Sequence, residues 1–443
     1  MPTYFAFNFR LSALNPVRED IFPLKPLIPH LGEFNVLSNG GKLRVMPTRL
    51  TKRLLFGRKQ NNTVAIYSAL LLLIFHSFVV AYINSSYIEQ FLNSAAVGTV
   101  FSIGSALTII IFLFVSRVLH KVGNYYATLF LLFLNFVAVL GIAFADSLRT
   151  AIPLMVLHLA VLPLIVFNFD VFLEENIGRD EGKTGSRRGL LLALSSFVGA
   201  TTPLITGVLV APENQFNLAY FASALSIIPV FLIVLFAFRS FTDPKYKALN
   251  FWSAVRSFWV KKNIRFVFLA HFLLQIFFFY MVVYAPLYLY TEIGLNWQVI
   301  GIILFGGQLA YVFFEYPIGK IGDLYIGEKE MMAVGFLILA LSSALMSFTA
   351  LTTVASWIIV MFISRVGASL IEVTTESYFF KHTKSSDAQI ISFFRITRPL
   401  AYLFGALIGV LSLLYVPFNL IFVVLGLVLL PGVIFATYIE DTK

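Results

Sequence analysis

The sequence predicts an all-α membrane protein of twelve transmembrane helices, arranged as two parallel six-helix repeats. Three observations predict it. Hydrophobic residues fill 59% of 443 positions and charged residues only 12%, whereas a soluble domain averages roughly 25% charged. Twelve apolar segments are each long enough to cross a bilayer core of roughly 30 Å, which needs about 20 helical residues. Similar residues also recur at one constant offset between the two halves of the chain.

The segments fall near 64–84, 93–115, 126–145, 151–173, 189–211 and 217–238, then 266–290, 296–318, 331–350, 354–377, 390–412 and 417–438. They are numbered here as spans 1 to 12. Each is read as helix because lipid offers backbone groups no hydrogen-bond partner and an open strand cannot cross it. Forty-eight Phe and nineteen Tyr suit a lipid-facing surface with aromatic belts. The chain has no Cys, which removes disulfides and thiolate metal sites.

Lys and Arg set the orientation. With both termini cytoplasmic, all but two of the 32 basic residues fall on the inside, the exceptions being Arg149 and Arg365. That is a strong positive-inside bias, and the expected location is a multi-pass plasma (inner) membrane. It also accounts for the net charge of +10 without nucleic acid, since these residues face anionic lipid and the cytosol.

Residues 1–60 mix Pro, Gly and basic residues without periodicity and are expected to form a basic, disordered cytoplasmic extension. Met46 offers a second plausible start just ahead of span 1, and no secretory signal pattern precedes it. Residues 61–238 form the N-terminal six-helix half. Residues 239–265 form a cytoplasmic central loop whose segment from Asn250 to Lys262 reads as a short basic, aromatic interfacial helix. Residues 266–438 form the C-terminal half, and 439–443 a cytoplasmic tail.

The duplication appears at an offset of 202 to 203 residues. Ser116 falls on Gly319, His120 on Asp323, Asp170 on Glu372, Glu174 on Glu376, Pro203 on Gly405 and Gly207 on Gly409. With an even span count, the two halves are parallel repeats about an axis along the membrane normal. The loop after span 8 reads Pro317-Ile-Gly319-Lys320-Ile-Gly-Asp323-Leu-Tyr-Ile-Gly327-Glu-Lys329. The loop after span 2 reads Ser116-Arg117-Val-Leu-His120-Lys121-Val-Gly123-Asn124-Tyr125. These loops resemble the signature loop of the major facilitator superfamily. The second copy has one extra residue before its last Gly, and the first has Ser for Gly and His for the acid. Span 5, with Gly199-Ala-Thr-Thr-Pro203-Leu-Ile-Thr-Gly207, partly matches the family's antiporter motif.

The resemblance implies the family's fold and a secondary active transporter working by alternating access, not an enzyme, and needing no cofactor. It also implies gating charges. Asp323, Glu376, Arg395 and Arg398 would form a cytoplasmic cluster in the C-half. Asp170, Glu174, Arg187 and Arg188 would form its N-half counterpart.

Asymmetric polar residues are the candidates for substrate contact. Arg365 falls on Pro163 at the same offset and so belongs to one half only. A charge inside a span is costly and is a functional-site hypothesis by default. Glu372 and Glu376 share its helix face, so Arg365 either grips an anionic substrate group or pairs with Glu372 or another buried partner. His271 and Gln275 on span 7, Gln308 and Tyr311 on span 8 and His76 on span 1 complete the cavity candidates. The histidines show no metal-ligand spacing. A small anionic solute, or an exported amphiphilic compound, is the expected substrate. A proton, with Glu372 as its acceptor, is the candidate coupling ion. The remaining expected partner is membrane lipid, and the expected functional unit is a monomer. A lipid-modifying or scramblase-type membrane protein is the alternative reading, and it would need a catalytic cluster at one membrane face.

Overall fold

A computed structural model describes residues 49–177, 181–211, 215–244, 256, 259–324, 326–348, 353–382 and 388–440. The expected extension up to residue 48 and most of the interfacial helix of the central loop lie outside the described residues. The described residues are helical throughout, without a strand. Ten helices are long and apolar enough to cross a membrane. Span 5, whose apolar part is Leu194–Val210, and span 9, Glu328–Leu345, bring the count to twelve.

Local chemistry explains several of the helix ends. Span 2, Ser94–Val122, starts where the Asn93 side chain accepts a hydrogen bond from the Ala96 amide at 2.8 Å, satisfying one of the four free donors of a helix start. Span 10, Val354–Lys381, opens with a reciprocal Thr353–Ser356 capping box. Spans 2 and 3 meet at Gly123, whose φ of +83° suits a residue without Cβ. There Asp243, just beyond span 6, accepts a hydrogen bond from the Asn124 amide at 2.7 Å. A carboxylate at a helix N-terminus also meets the favourable end of the macrodipole. Span 12 is broken, with a 3-10 turn at Phe418–Leu420 followed by Ile421–Leu429 and Pro431–Thr437.

The duplication read from sequence recurs in the packing. Spans 1–6, 2–4, 3–4, 3–6, 1–5 and 1–4 pack together in the first half. Their counterparts 7–12, 8–10, 9–10, 9–12, 7–11 and 7–10 pack together in the second. The halves meet along two equivalent seams, span 5 against span 8 and span 2 against span 11. Large apolar side chains such as Phe130, Phe197, Phe236 and Tyr415 remain exposed on the outer surface, as contact with lipid requires.

An even number of spans puts both chain ends on one side of the membrane, here called the terminal side. The seams are tightest toward the opposite, far side. A Cβ on Gly301 of span 8 would lie 2.5 Å from the Pro203 carbonyl oxygen of span 5. One on Gly207 of span 5 would lie 2.6 Å from the Trp297 carbonyl oxygen. On the other seam, a Cβ on Gly98 would come within 2.5 Å of the Tyr284 hydroxyl, and Gly409 faces the same ring. Small residues are what let helix backbones approach this closely in a membrane. Phe216 stands edge-on to Trp297 and Tyr290 at 5.8 and 6.1 Å, adding an aromatic plug between the halves. The conformation described is therefore closed toward the far side.

Candidate functional site

Arg365 is 2% exposed, in the middle of span 10. It lies against span 8 at Gly307, where a Cβ would come within 3.0 Å of its Cδ and Nε atoms. Glycine at 307 is thus what lets the Arg365 stem lie flat on the neighbouring helix. Its Nη1 donates to the Met361 carbonyl at 3.3 Å, to the Met361 sulfur at 3.1 Å and to the Ser364 hydroxyl at 3.2 Å. All three acceptors are neutral. Among the described residues no carboxylate pairs with Arg365.

The guanidinium faces a small cavity between spans 1, 7, 8 and 10. Tyr82, Gln308 and Tyr311 share its polar wall with Arg365, and Phe277, Phe278, Met281 and Val282 of span 7 form the other wall. The Gln308 amide donates to the Tyr82 hydroxyl at 2.5 Å, a hydrogen bond between the two halves. Of the sequence candidates, Arg365, Gln308 and Tyr311 thus converge on one cavity. Tyr82 was not among them. It is one tyrosine among nineteen, and nothing in its neighbourhood marks it.

Spans 8 and 10 run parallel, with Gly307 beside Met361 and Gly319 beside Val373. That register sets Glu315 level with Ser369, one turn below Arg365 and one above Glu372. Glu372 is 3% exposed, and neither of its carboxylate oxygens has a hydrogen-bond partner. The Ser369 hydroxyl is likewise buried without one. Seven residues of helix separate Arg365 from Glu372 by roughly 10 Å, and the pair between them, one of the two alternatives the sequence left open, does not form in this conformation.

The other candidates lie elsewhere. His271 and Gln275 are one to two turns toward the terminal side, where Gln275 Nε2 donates to His271 Nε2 at 3.2 Å. His271 Nδ1 reaches the Thr375 hydroxyl at 3.4 Å, and its ring packs 4.5 Å from Phe394. They tie span 7 to spans 10 and 11. His76 is away from the cavity, inside the N-half. Its Nδ1 bonds the Ser223 hydroxyl at 2.7 Å and its Nε2 the Asn135 amide at 2.8 Å. Asn135 Oδ1 meets His158 Nδ1 at 2.8 Å. Sequence spacing identifies a buried polar residue but not the neighbour that satisfies it, so this network reads as packing across spans 1, 3, 4 and 6. Asn135→Ala would strand a polar nitrogen on each histidine, and an orphaned buried group costs about 1–3 kcal/mol. Thermal unfolding should show that loss while transport per folded molecule persists. Lost transport at unchanged stability would instead make the network part of the transport path.

The gating set is described in part. The side chains of Asp323, Arg395, Glu174, Arg187 and Arg188 lie outside the described residues. Asp170 and Glu376 are half-buried near the terminal side. Arg398 donates to the Tyr402 hydroxyl at 3.2 Å and lies over its ring. A charge contact that sequence reading missed joins spans 9 and 10. Glu328, 2% exposed, accepts from Lys381 and, at 3.1 Å, from the Ser377 hydroxyl. Its one sequence signal is its place as the first residue of span 9, directly after Gly327 of the signature loop.

Residues 267–443 match the sequence model described as Major Facilitator Superfamily. No curated protein sequence matches the chain. Among solved structures it is similar to the nucleoside transporter NupG at 14% identity, with a TM-score of 0.66, over 85% of this chain and 98% of that one. It is also similar to the POT family transporter PepTSo at 11% identity and a TM-score of 0.67, over 85% and 97%. An auto-inhibited POT family peptide transporter matches at 10% identity and a TM-score of 0.68, over 86% and 98%. At such identities the likeness shows the fold alone, and it spans both halves. Residues 267–443 are thus similar in sequence to the major facilitator superfamily, and the whole chain shares the fold of these solved transporters.

Proposed function

We propose that the protein is a secondary active transporter that binds a small anionic solute at Arg365 and carries it by alternating access. The observation that carries the reading is a buried guanidinium on a cavity between the halves with no carboxylate paired to it among the described residues. Burying an unpaired charge in a span costs a few kcal/mol, and a structural role would leave Arg365 beside an acid. An anion entering the cavity supplies the missing counter-charge, and the planar guanidinium fork suits a carboxylate, sulfonate or phosphate held by two parallel hydrogen bonds.

The two equivalent seams support rocking of one six-helix body against the other around this site. Closure at the far side uses Gly207, Gly301, Gly98 and Gly409. The opposite closure would use charges on the terminal side, where Glu328 and Lys381 join the expected cluster around Asp323. Glu372, buried with neither oxygen partnered, is the proposed acceptor for a coupled proton. Both termini are cytoplasmic in this reading, on the strength of the Lys and Arg distribution, and one chain suffices as a monomer.

Flux kinetics in liposomes test it. A carrier gives saturable uptake that is accelerated by unlabelled solute on the opposite side. Flux linear in solute concentration, without trans-stimulation, would refute alternating access, and lipid translocation without solute exchange would favour a scramblase-type protein.

A further inference from the structure

We infer that an anionic phospholipid binds where spans 7 and 12 meet on the terminal side, its phosphate held by Lys262 and Arg265 and an acyl chain laid along span 12. Span 7, Lys262–Thr291, opens on these two cations, and ring contacts hold both. The Arg265 guanidinium lies 5.0 Å from the centre of the Phe266 ring and 5.9 Å from that of Trp259. The Lys262 ammonium lies 5.9 Å from the centre of the Tyr438 ring, and Tyr438 stacks on Phe266 at 5.1 Å. Both charges thus sit beside one aromatic stack that joins span 7 to the end of span 12. Ring contacts orient a cation but do not neutralise it. Glu440, at the same junction, accepts instead from the Asn263 side-chain amide at 2.8 Å. Among the described residues no carboxylate pairs with Lys262 or Arg265.

The surface beside these cations says what the ligand's other end is. Leu427, Leu430, Ile434 and Tyr438 of span 12 are 41–61% exposed, and their spacing of three, four and four residues sets them on one helix face. Eleven residues of helix run roughly 16 Å, close to half of the roughly 30 Å hydrocarbon core. The stripe therefore matches the depth of one leaflet, and it ends at the ring that carries Lys262. Trp259 and Val260, also exposed, mark the same level as the water–lipid boundary. An acidic peptide or a free phosphate would use the cations and leave the stripe unused, whereas a lipid uses both. A zwitterionic headgroup brings its own cation toward Lys262 and Arg265, so a net anionic headgroup is favoured. Each basic residue at an anionic membrane surface contributes about fivefold in affinity.

Thermal unfolding of the purified full chain in a neutral detergent tests this with phosphatidylglycerol, phosphatidylcholine of the same chains, and glycerol phosphate. Phosphatidylglycerol should raise Tm saturably and more than either of the others. Lys262→Gln with Arg265→Gln should weaken it on the order of thirtyfold, and Ile434→Ser several-fold. Arg117→Gln with Lys121→Gln, which removes two exposed cations from the terminal-side end of span 2, should leave it unchanged. In the unaltered chain, raised potassium chloride should weaken phosphatidylglycerol, since the cations lie at the surface. Equal stabilisation by phosphatidylcholine, an equal loss in the span 2 variant, or binding indifferent to salt would overturn the site. Glycerol phosphate acting as well as the lipid would leave a phosphate site and overturn the lipid.

Discussion

Arg365→Lys is expected to reduce solute affinity on the order of tenfold to a hundredfold, and transport with it, in a protein that still folds. Lysine keeps the charge but presents a point ammonium in place of a planar fork. The loss corresponds to one or two charge-assisted hydrogen bonds at about 1.5–3 kcal/mol each. Arg365→Gln separates function from stability more sharply. The guanidinium has only neutral partners in Met361 and Ser364, so its removal leaves no acid stranded. Stability should hold, or rise by up to about 3 kcal/mol, the insertion cost of a mid-span Arg, while transport is abolished. A structural ion pair predicts the reverse, because breaking a buried pair destabilises strongly and removing both members restores the loss. Destabilised Arg365→Gln rescued by Glu372→Gln would therefore assign Arg365 to the fold.

Gly301→Val is expected to displace the closed far side and stop the transport cycle. The contact it disturbs is backbone on backbone. A Cβ at 301 would sit 2.5 Å from the Pro203 carbonyl oxygen and close to Gly207, and neither neighbour is a side chain that can rotate away. Spans 5 and 8 must separate, and the population shifts toward the state in which they already are apart. The absence of Cys makes the readout simple. A single cysteine at Ala211, on the far end of span 5, should label faster from the far side in Gly301→Val than in the parent. Unchanged labelling with unchanged transport would show that the close approach is not part of the cycle.

Most of the architecture was legible because lipid leaves the chain few choices. Apolar runs had to be helices, and their limits were set by where water begins; the run read as 390–412 is the membrane part of the helix Ala388–Tyr415. The boundaries moved where capping chemistry, not hydropathy, sets them. Span 9 was read as 331–350, whereas the helix is Glu328–Leu345, opening on a buried glutamate that a hydropathy window excludes. The site was legible on one helix at a time. Arg365, Gln308 and Tyr311 stood out as polar residues in apolar spans, and the parallel register of spans 8 and 10 brings them together. Tyr82 comes from 226 residues before Gln308, and no periodicity within a span predicts a meeting across the two halves. For the same reason His76 could not be told from a cavity residue, since only the fold supplies Asn135, His158 and Ser223 around it.

The central claim is that the two halves rock about a site that opens to one side at a time. Spin labels on two engineered cysteine pairs, Ala211 with Gln298 at the far ends of spans 5 and 8 and Lys183 with Lys320 at their terminal-side ends, measure it directly in lipid. The account predicts two populations in which the pairs move oppositely, the far pair short while the terminal pair is long and the reverse, with Gly301→Val enriching the second. A single fixed distance for each pair, or pairs that lengthen and shorten together, would contradict it.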